Sequence, residues 1–308
     1  MSFSSDAKAE IVQKKISRAC CARAACYGIA CFARYFDSKG LVLQTELPGV
    51  AHYAQKMFQR CGVEGSILEK ERASGILYEF AIKEPGEIHA MQAMLGSSCS
   101  GPSLQIDPAL FICSGCVAAY VASAFLCSGT ATDPQKEYTI EFLTPRSNLS
   151  RDFEALLAEH EFAPHRARRK GINIIYVKAS EQVEDLLTFM GASSASMRLM
   201  DEKAYKSLRN QTNRRTNCDT ANIKKTSTAY GSALRAIRFL QQENALAALP
   251  APLQEAAEKR MAYPDASLAQ LAERFEPPIS KSGLSHRLKK IEDTAASLRA
   301  RREGNTHA

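Results

Sequence analysis

Two stretches decide how this chain folds: "CCARAACYGIACFARYF", Cys20 to Phe36, and "GCVAAYVASAFLCSGT", Gly115 to Thr130. Between them they carry Ala, Gly, Ser and Cys on every face, so each reads as a helix with no solvated side, over about 20–34 and 115–128. Small side chains let helix backbones approach closely, and the natural partner of each stretch is the other. A membrane segment is the alternative. It fails on length and on the charges of Arg23 and Arg34.

Sliding the sequence along itself by 95 positions brings the two stretches into register, with Cys21 on Cys116 and Ala24 on Ala119. The same offset lays the alternating run Leu41 to Leu47 over Lys136 to Phe142, pairing Leu43 with Tyr138, Thr45 with Ile140 and Leu47 with Phe142. Period-two alternation makes both half-buried strands. Phe58 then falls on Phe153, and "LGSS" (Leu95 to Ser98) on "MGAS" (Met190 to Ser193). Each copy reads as helix, strand, helix (about 50–60 and 149–160), two strands joined by a tight turn, and a helix ending at Gly96 or Gly191. This αββαββα-like plan, with one strand of its first pair picked out by alternation, is α+β, duplicated about a pseudo-twofold, with one sheet per copy and helices on one face.

The 308 residues carry a net charge of +7, and it is unevenly spread. Residues 1–196 hold 20 Lys/Arg against 21 Asp/Glu, and residues 197–308 hold 20 against 12. A basic segment joined to a neutral one is the electrostatic footprint of a nucleic-acid binder. The N-terminal residues lack an apolar run with a cleavage site, so the expected location is the cytoplasm. Ten cysteines in such a chain are expected to be reduced, buried thiols. Cys20, Cys21, Cys26 and Cys31 cluster, and Cys113 with Cys116 forms one C-x-x-C pair, but zinc sites normally use two ligand pairs on turns. With Cys26 and Cys31 inside a helix and no visible second pair, the expectation is no metal and no cofactor.

The C-terminal third opens with a turn-rich, basic stretch read as a linker over 201–222, carrying Arg214 and Arg215, with Lys224 and Lys225 just beyond. A helix with Leu234, Ile237 and Leu240 follows, then a helix between Pro250 and Pro264. In "SLAQLAERF", Ser267 and Gln270 form a capping box, and Leu268, Leu271 and Phe275 an apolar stripe. After "EPPI" comes "ISKSGLSHRLKK", Ile279 to Lys290, with Ser280 as N-cap and Leu284, Leu288 and Ile291 facing inward. Two short helices separated by a tight break predict a helix-turn-helix over 223–303, similar to the DNA-reading region 4 of sigma factors. Lys281, Ser282, Ser285 and His286 are the expected base contacts, and Arg287, Lys289 and Lys290 the phosphate contacts.

The duplicated unit, with its small-residue helix pair, resembles the LAGLIDADG homing-endonuclease fold. With "NRRTNCDTANIKKT" (Asn213 to Thr226) and "ISKSGLSHRL", essentially the whole chain resembles the WhiA family of sporulation and cell-division regulators. The resemblance implies LAGLIDADG-like repeats over 1–100 and 110–200 and a DNA-binding transcription regulator acting at the nucleoid. It also implies another transcription regulator or RNA polymerase as a protein partner, no membrane, and a monomer. In nucleases of the fold each interface helix ends in an acid that holds Mg²⁺. Here the corresponding positions are Ala33 and Ser128, neither of which can ligate Mg²⁺ usefully, and Asp37 and Asp133 lie beyond the motif. No catalytic residues are therefore expected, and an active endonuclease or a protein-recruiting adaptor are the alternatives to a regulator. The turn "HRARRKG" offers Arg166, Arg168, Arg169 and Lys170 to DNA, while its counterpart with Lys70 and Arg72 is neutralised by Glu69 and Glu71.

Overall fold

A computed structural model describes residues 2–73, 75–96 and 104–305, with the backbone alone described for 222–230 and 303–305. Ser97 and Ser98, on which part of the repeat register rested, lie outside the described residues. The chain divides into two compact units, residues 1–207 and 208–308.

The first unit opens with α1 (Phe3–Gln13), capped by Ser2. Two copies of one αββαββα plan follow. The first is α2 (Ala19–Phe32), β1 (Tyr35–Asp37), β2 (Gly40–Thr45), α3 (Pro48–Arg60), β3 (Ser66–Arg72), β4 (Gly75–Ile82) and α4 (Pro85–Leu95). The second is α5 (Ser114–Ser128), β5 (Gly129–Ala131), β6 (Thr139–Thr144), α6 (Ser147–Glu159), β7 (Pro164–Arg169), β8 (Ile172–Lys178) and α7 (Ser180–Met190). Each copy forms a four-stranded antiparallel sheet, ordered β1-β2-β4-β3 and β5-β6-β8-β7. Gly96 and Gly191 end α4 and α7 with φ of 86° and 95°, a backbone that a side chain would strain.

α2 and α5 pack on each other at the centre of a single core. A methyl group added at Gly28 would lie 2.5 Å from the Tyr120 carbonyl oxygen and 2.9 Å from the Ser123 Cβ, so that glycine sets how closely the helices cross. Aromatic rings tie the copies together: Phe32 of α2 meets Phe153 of α6 edge-on at 4.9 Å, and Phe153 meets Phe142 of β6 at 4.8 Å.

The repeat register holds at both ends and fails in the middle. Strand pairing makes Phe36↔Leu41 the counterpart of Ala131↔Ile140, and Leu43↔Phe80 the counterpart of Phe142↔Ile175. Leu43 therefore corresponds to Phe142 rather than Tyr138, and Thr45 and Leu47 shift with it. Phe58, near the end of α3, likewise takes the place of Leu157 rather than Phe153. The cause is a β5–β6 turn four residues longer than its partner, residues 133–138 against Ser38 and Lys39. The β7–β8 hairpin is four residues shorter than β3–β4 and restores the offset. It closes on Lys170 and Gly171 alone, with φ of 50° and 82°. That left-handed pair is what a two-residue hairpin requires.

On the first sheet, Glu79 is buried and accepts hydrogen bonds from Lys70 Nζ at 2.7 Å and Gln44 Nε2 at 2.9 Å, with Lys83 Nζ at 3.4 Å. The Lys70 hydrogen bond, aided by Gln44 and Lys83, holds its carboxyl at about 2 against the opposing effect of burial. A depressed folded-state value stabilises the fold above the ordinary carboxylate range and loses that stabilisation as pH falls from about 4.5 to about 2. Glu79→Gln should flatten the pH dependence of unfolding in that window and leave it unchanged between pH 6 and 8. Parallel curves for the variant and the parent in urea titrations across both windows would refute this role.

α8 runs from Ser193 to Gln242, so the expected linker at 201–222 is helical. Asn, Thr and Asp suggested turns there, but no Gly or Pro occurs from residue 193 to residue 230, and those polar residues disfavour a helix only weakly. Glu10 caps the start of α8, accepting from the Ser194 and Ala195 amides at 2.7 and 3.1 Å. The second unit, residues 208–308, holds the end of α8, then α9 (Ala251–Ala262), α10 (Leu268–Ala272) and α11 (Lys281–Asn305) around a core of its own. Ala233, Ala236, Ile237 and Leu240 form its α8 stripe, with Leu234 only half-buried. Among the described residues no helix is long and apolar enough to cross a membrane.

Candidate nucleic-acid interface

The local chemistry of unit 2 positions α11. Ser267 Oγ accepts from the Gln270 amide at 3.2 Å and Gln270 Oε1 from the Ser267 amide at 3.0 Å. This reciprocal pair starts α10. At the next break Ser280 Oγ accepts from the Gly283 amide at 3.0 Å and starts α11. Leu284, Leu288 and Ile291 are buried against a core that includes Leu271, Ala272 and Phe275. Their spacing turns the opposite face of α11 to solvent. Lys281, Ser282, Ser285, His286, Lys289 and Lys290 are all exposed.

Arg287 differs from its neighbours. Its guanidinium lies 5.5 Å over the Phe275 ring and 3.8 Å from the Glu255 carboxylate of α9. The ring and the carboxylate hold it half-buried on the flank of the helix. Arg214 and Arg215 are exposed on α8, and the side chains of Lys224 and Lys225 lie outside the described residues. In unit 1 the basic run on β7 is divided by the strand's period of two. Arg166 lies opposite the buried Ile175, on the helix-covered face, and pairs with Glu154 of α6 at 2.9 Å. Arg168 shares that side. Arg169 falls on the open face with His165 and Tyr176, and Lys170 forms the turn.

Two functional positions were missed by sequence reading. Arg260 of α9 is fully buried, and its Nη1 donates to the Ala266 carbonyl at 2.7 Å and, more weakly, to those of Tyr263 and Pro264 at 3.5 Å. It shapes the turn into α10. The signal was its place on the stripe Leu253, Ala256, Ala257, Arg260, where an apolar residue belongs. The second concerns the C-terminal ends of the interface helices. Arg146 Nη1 donates to the Cys31 carbonyl at 2.8 Å and the Ala33 carbonyl at 3.4 Å, while Lys8 Nζ donates to the Leu126 carbonyl at 3.2 Å. Cations thus sit on both carboxyl ends, complementing the helix dipoles. Burial lowers the proton affinity of both groups.

Residues 117–209 match the WhiA LAGLIDADG-like domain, and residues 212–295 the WhiA C-terminal HTH domain. The chain is 37% identical over 194 residues to the probable cell division protein WhiA of Clostridium botulinum, across 63% of this chain and 62% of that protein's length. It is 40% identical over 188 residues to the same-named protein of Desulforamulus reducens, across 61% and 58%. The matched region therefore spans under two thirds of the curated relatives. The crystal structure of full-length WhiA from Thermotoga maritima superposes with a TM-score of 0.60 at 17% identity, over 96% of this chain and 99% of that one. Two WhiA domain types in tandem, a duplicated LAGLIDADG-like scaffold followed by a helix-turn-helix unit, show that the chain belongs to the WhiA family.

Proposed function

We propose that this chain is a non-catalytic regulator that binds double-stranded DNA through α11 and controls genes of cell division or sporulation. The observation that carries this reading is the exposed, acid-free arc of Lys281, Ser282, Ser285, His286, Lys289 and Lys290, seated on a buried stripe in the segment matching the WhiA helix-turn-helix. The first residues of such a helix approach base edges, and later ones meet the backbone. Lys281, Ser282, Ser285 and His286 take the first role, and Lys289 and Lys290 the second. Arg287 supports the helix from its flank while remaining within reach of a phosphate. Arg214 and Arg215 on α8, with Arg169 and Lys170 in unit 1, add sequence-independent attraction. The protein acts as a monomer at the nucleoid, in the cytoplasm, beside RNA polymerase or a second regulator.

The test is the salt dependence of binding to a duplex. Lys289→Ala with Lys290→Ala should weaken binding about tenfold and reduce the slope of log K against log salt by about 2, one counterion for each phosphate no longer neutralised. An unchanged slope removes both residues from the interface.

Absence of cleavage is supported by the ends of the interface helices. Ala33 and Ser128 offer no carboxylate, and the basic groups of Arg146 and Lys8 lie on the carbonyls there. Asp37 and Asp133 accept from the Lys39 and Gln135 amides at 2.8 and 3.0 Å, in their own turns. A supercoiled plasmid incubated with the protein and Mg²⁺ or Mn²⁺ should stay intact. Nicking that Asp133→Asn abolishes would restore the endonuclease reading.

A further inference from the structure

Four of the cysteines meet in space. Cys20 and Cys21 stand in the first turn of α2, Cys113 is the N-cap of α5, and Cys116 lies in that helix's first turn. Their sulfurs all fall within 4.8 Å of one another, with Cys113 Sγ 3.6 Å from Cys20 Sγ, 3.5 Å from Cys21 Sγ and 3.6 Å from Cys116 Sγ. The second ligand pair that was not visible in sequence is the adjacent pair Cys20–Cys21, delivered from 92 residues away by the crossing of the interface helices. Cys26 pairs instead with Cys61 at 3.9 Å, apart from this group. Among the described residues it is the only set of three or more Cys, His, Asp or Glu groups with this convergence.

We infer that Cys20, Cys21, Cys113 and Cys116 form a closed tetrathiolate site for one divalent metal ion, Zn²⁺ in the first instance, that staples the start of α2 to the start of α5. The spacing is that of a single ion. Four sulfurs about 2.3 Å from a tetrahedral zinc lie about 3.8 Å apart, close to the three distances measured from Cys113 Sγ and within the 4.8 Å that bounds the set. A polynuclear iron–sulfur cluster divides its cysteines among several irons and spreads their sulfurs further. Four protein ligands leave no open position, so the ion is structural rather than catalytic.

The surroundings suit bound thiolates. Cys113 Sγ accepts from the Cys116 amide and Cys116 Sγ from the Cys113 amide, the latter at 3.5 Å. The second pair is thus oriented by its own helix start. Both helices point their positive ends at the sulfurs. Zinc with four thiolates carries two net negative charges, and Lys14, Lys15 and Arg18 line the adjoining cleft of about 330 Å³ with Cys21 and Cys113. Gly115 keeps the approach open, since a methyl group there would lie 3.3 Å from Cys21 Sγ. On binding, each thiol gives its proton to solvent and no electron is transferred.

The experiment uses the full chain, produced in zinc-supplemented medium, with metal content measured by mass spectrometry. The expected content is about one zinc per chain, falling to under about a tenth in Cys21→Ser and Cys113→Ser and unchanged in Cys218→Ser, outside the group. Should the serine variants fail to fold, Co²⁺ added to the chelator-stripped parent provides the second measurement. Thiolate-to-cobalt charge transfer with intense visible bands, saturating at one equivalent and reversed by Zn²⁺, supports the site. Any of three results overturns it: no band and no zinc, a Cys113-containing disulfide in freshly purified protein, or iron with acid-labile sulfide in place of zinc.

Discussion

Gly28→Val should destabilise residues 1–207 by about 3 kcal/mol, because the position has no room for a side chain against backbone. A Cβ there meets the Tyr120 carbonyl oxygen at 2.5 Å and the Tyr120 carbonyl carbon at 3.2 Å, atoms that cannot swing aside as a flexible side chain would. Relief requires α2 and α5 to separate, and they carry the aromatic contacts joining the two copies. Alanine at the same site should cost less, since a gain of about 1 kcal/mol in helix propensity offsets part of the clash. Gly86 is the control. It lies in the first turn of α4 with nothing within 4 Å of an added methyl, so Gly86→Ala should be neutral or slightly stabilising. The chain has no tryptophan, and eight of its ten tyrosines lie in residues 1–207, so their near-ultraviolet signal in a urea titration reports chiefly the unfolding of unit 1. A Gly28→Val midpoint equal to that of Gly86→Ala would show that the helices can reseat at little cost.

The same small-residue helices made the architecture legible. With no polar face, α2 and α5 had only each other to pack against, and the order of strands and helices followed from two copies of one pattern. The middle of the repeat was not legible in detail, because a turn longer by four and a hairpin shorter by four cancel. Both ends then align while the segment between them slides, and no propensity reveals the slip. α8 was misread for another reason. Polar residues common in turns dominate 213–222, yet the absence of Gly and Pro was the stronger signal, and the helix continues through them.

The exposed face of α11 followed from local rules, since the Ser267 and Ser280 caps and the Leu284 stripe each belong to one short segment. What lay beyond reach were groups whose partners come from distant segments. Arg287 reads as outward on a helical projection and is drawn to the flank by Phe275 and Glu255. The cysteine pairs are complete only once two helices far apart in sequence cross at their first turns. The cations at the helix ends come from α1 and from the start of α6, elements with no sequence link to the positions they cap.

Arg260→Ala should be the most damaging single change in residues 208–308, costing about 3 kcal/mol and more than about 10 °C in melting temperature for a unit of this size. Hydrogen bonds from a buried cation are worth more than neutral ones, and their loss strands the carbonyls of the turn that sets α10 on α9. The guanidinium reaches the Ala266 carbonyl at 2.7 Å from a side chain with no solvent exposure. Truncation also leaves a cavity beside Leu268 and Leu288. Arg260→Lys should recover only part of the loss, because the shorter lysine side chain does not bring its ammonium to the point from which Nη1 meets the carbonyls of Tyr263, Pro264 and Ala266. Since α10 and α11 are seated on the same core, duplex affinity should fall with stability in both variants, and lower temperature should restore it. That rescue distinguishes a supporting residue from one that touches DNA, because removing a phosphate-binding group, the role proposed for Lys289, should weaken binding at every temperature and lower the salt slope. Full stability in Arg260→Ala would mean that the turn holds itself, and a reduced salt slope in a fully folded variant would place the guanidinium on DNA instead.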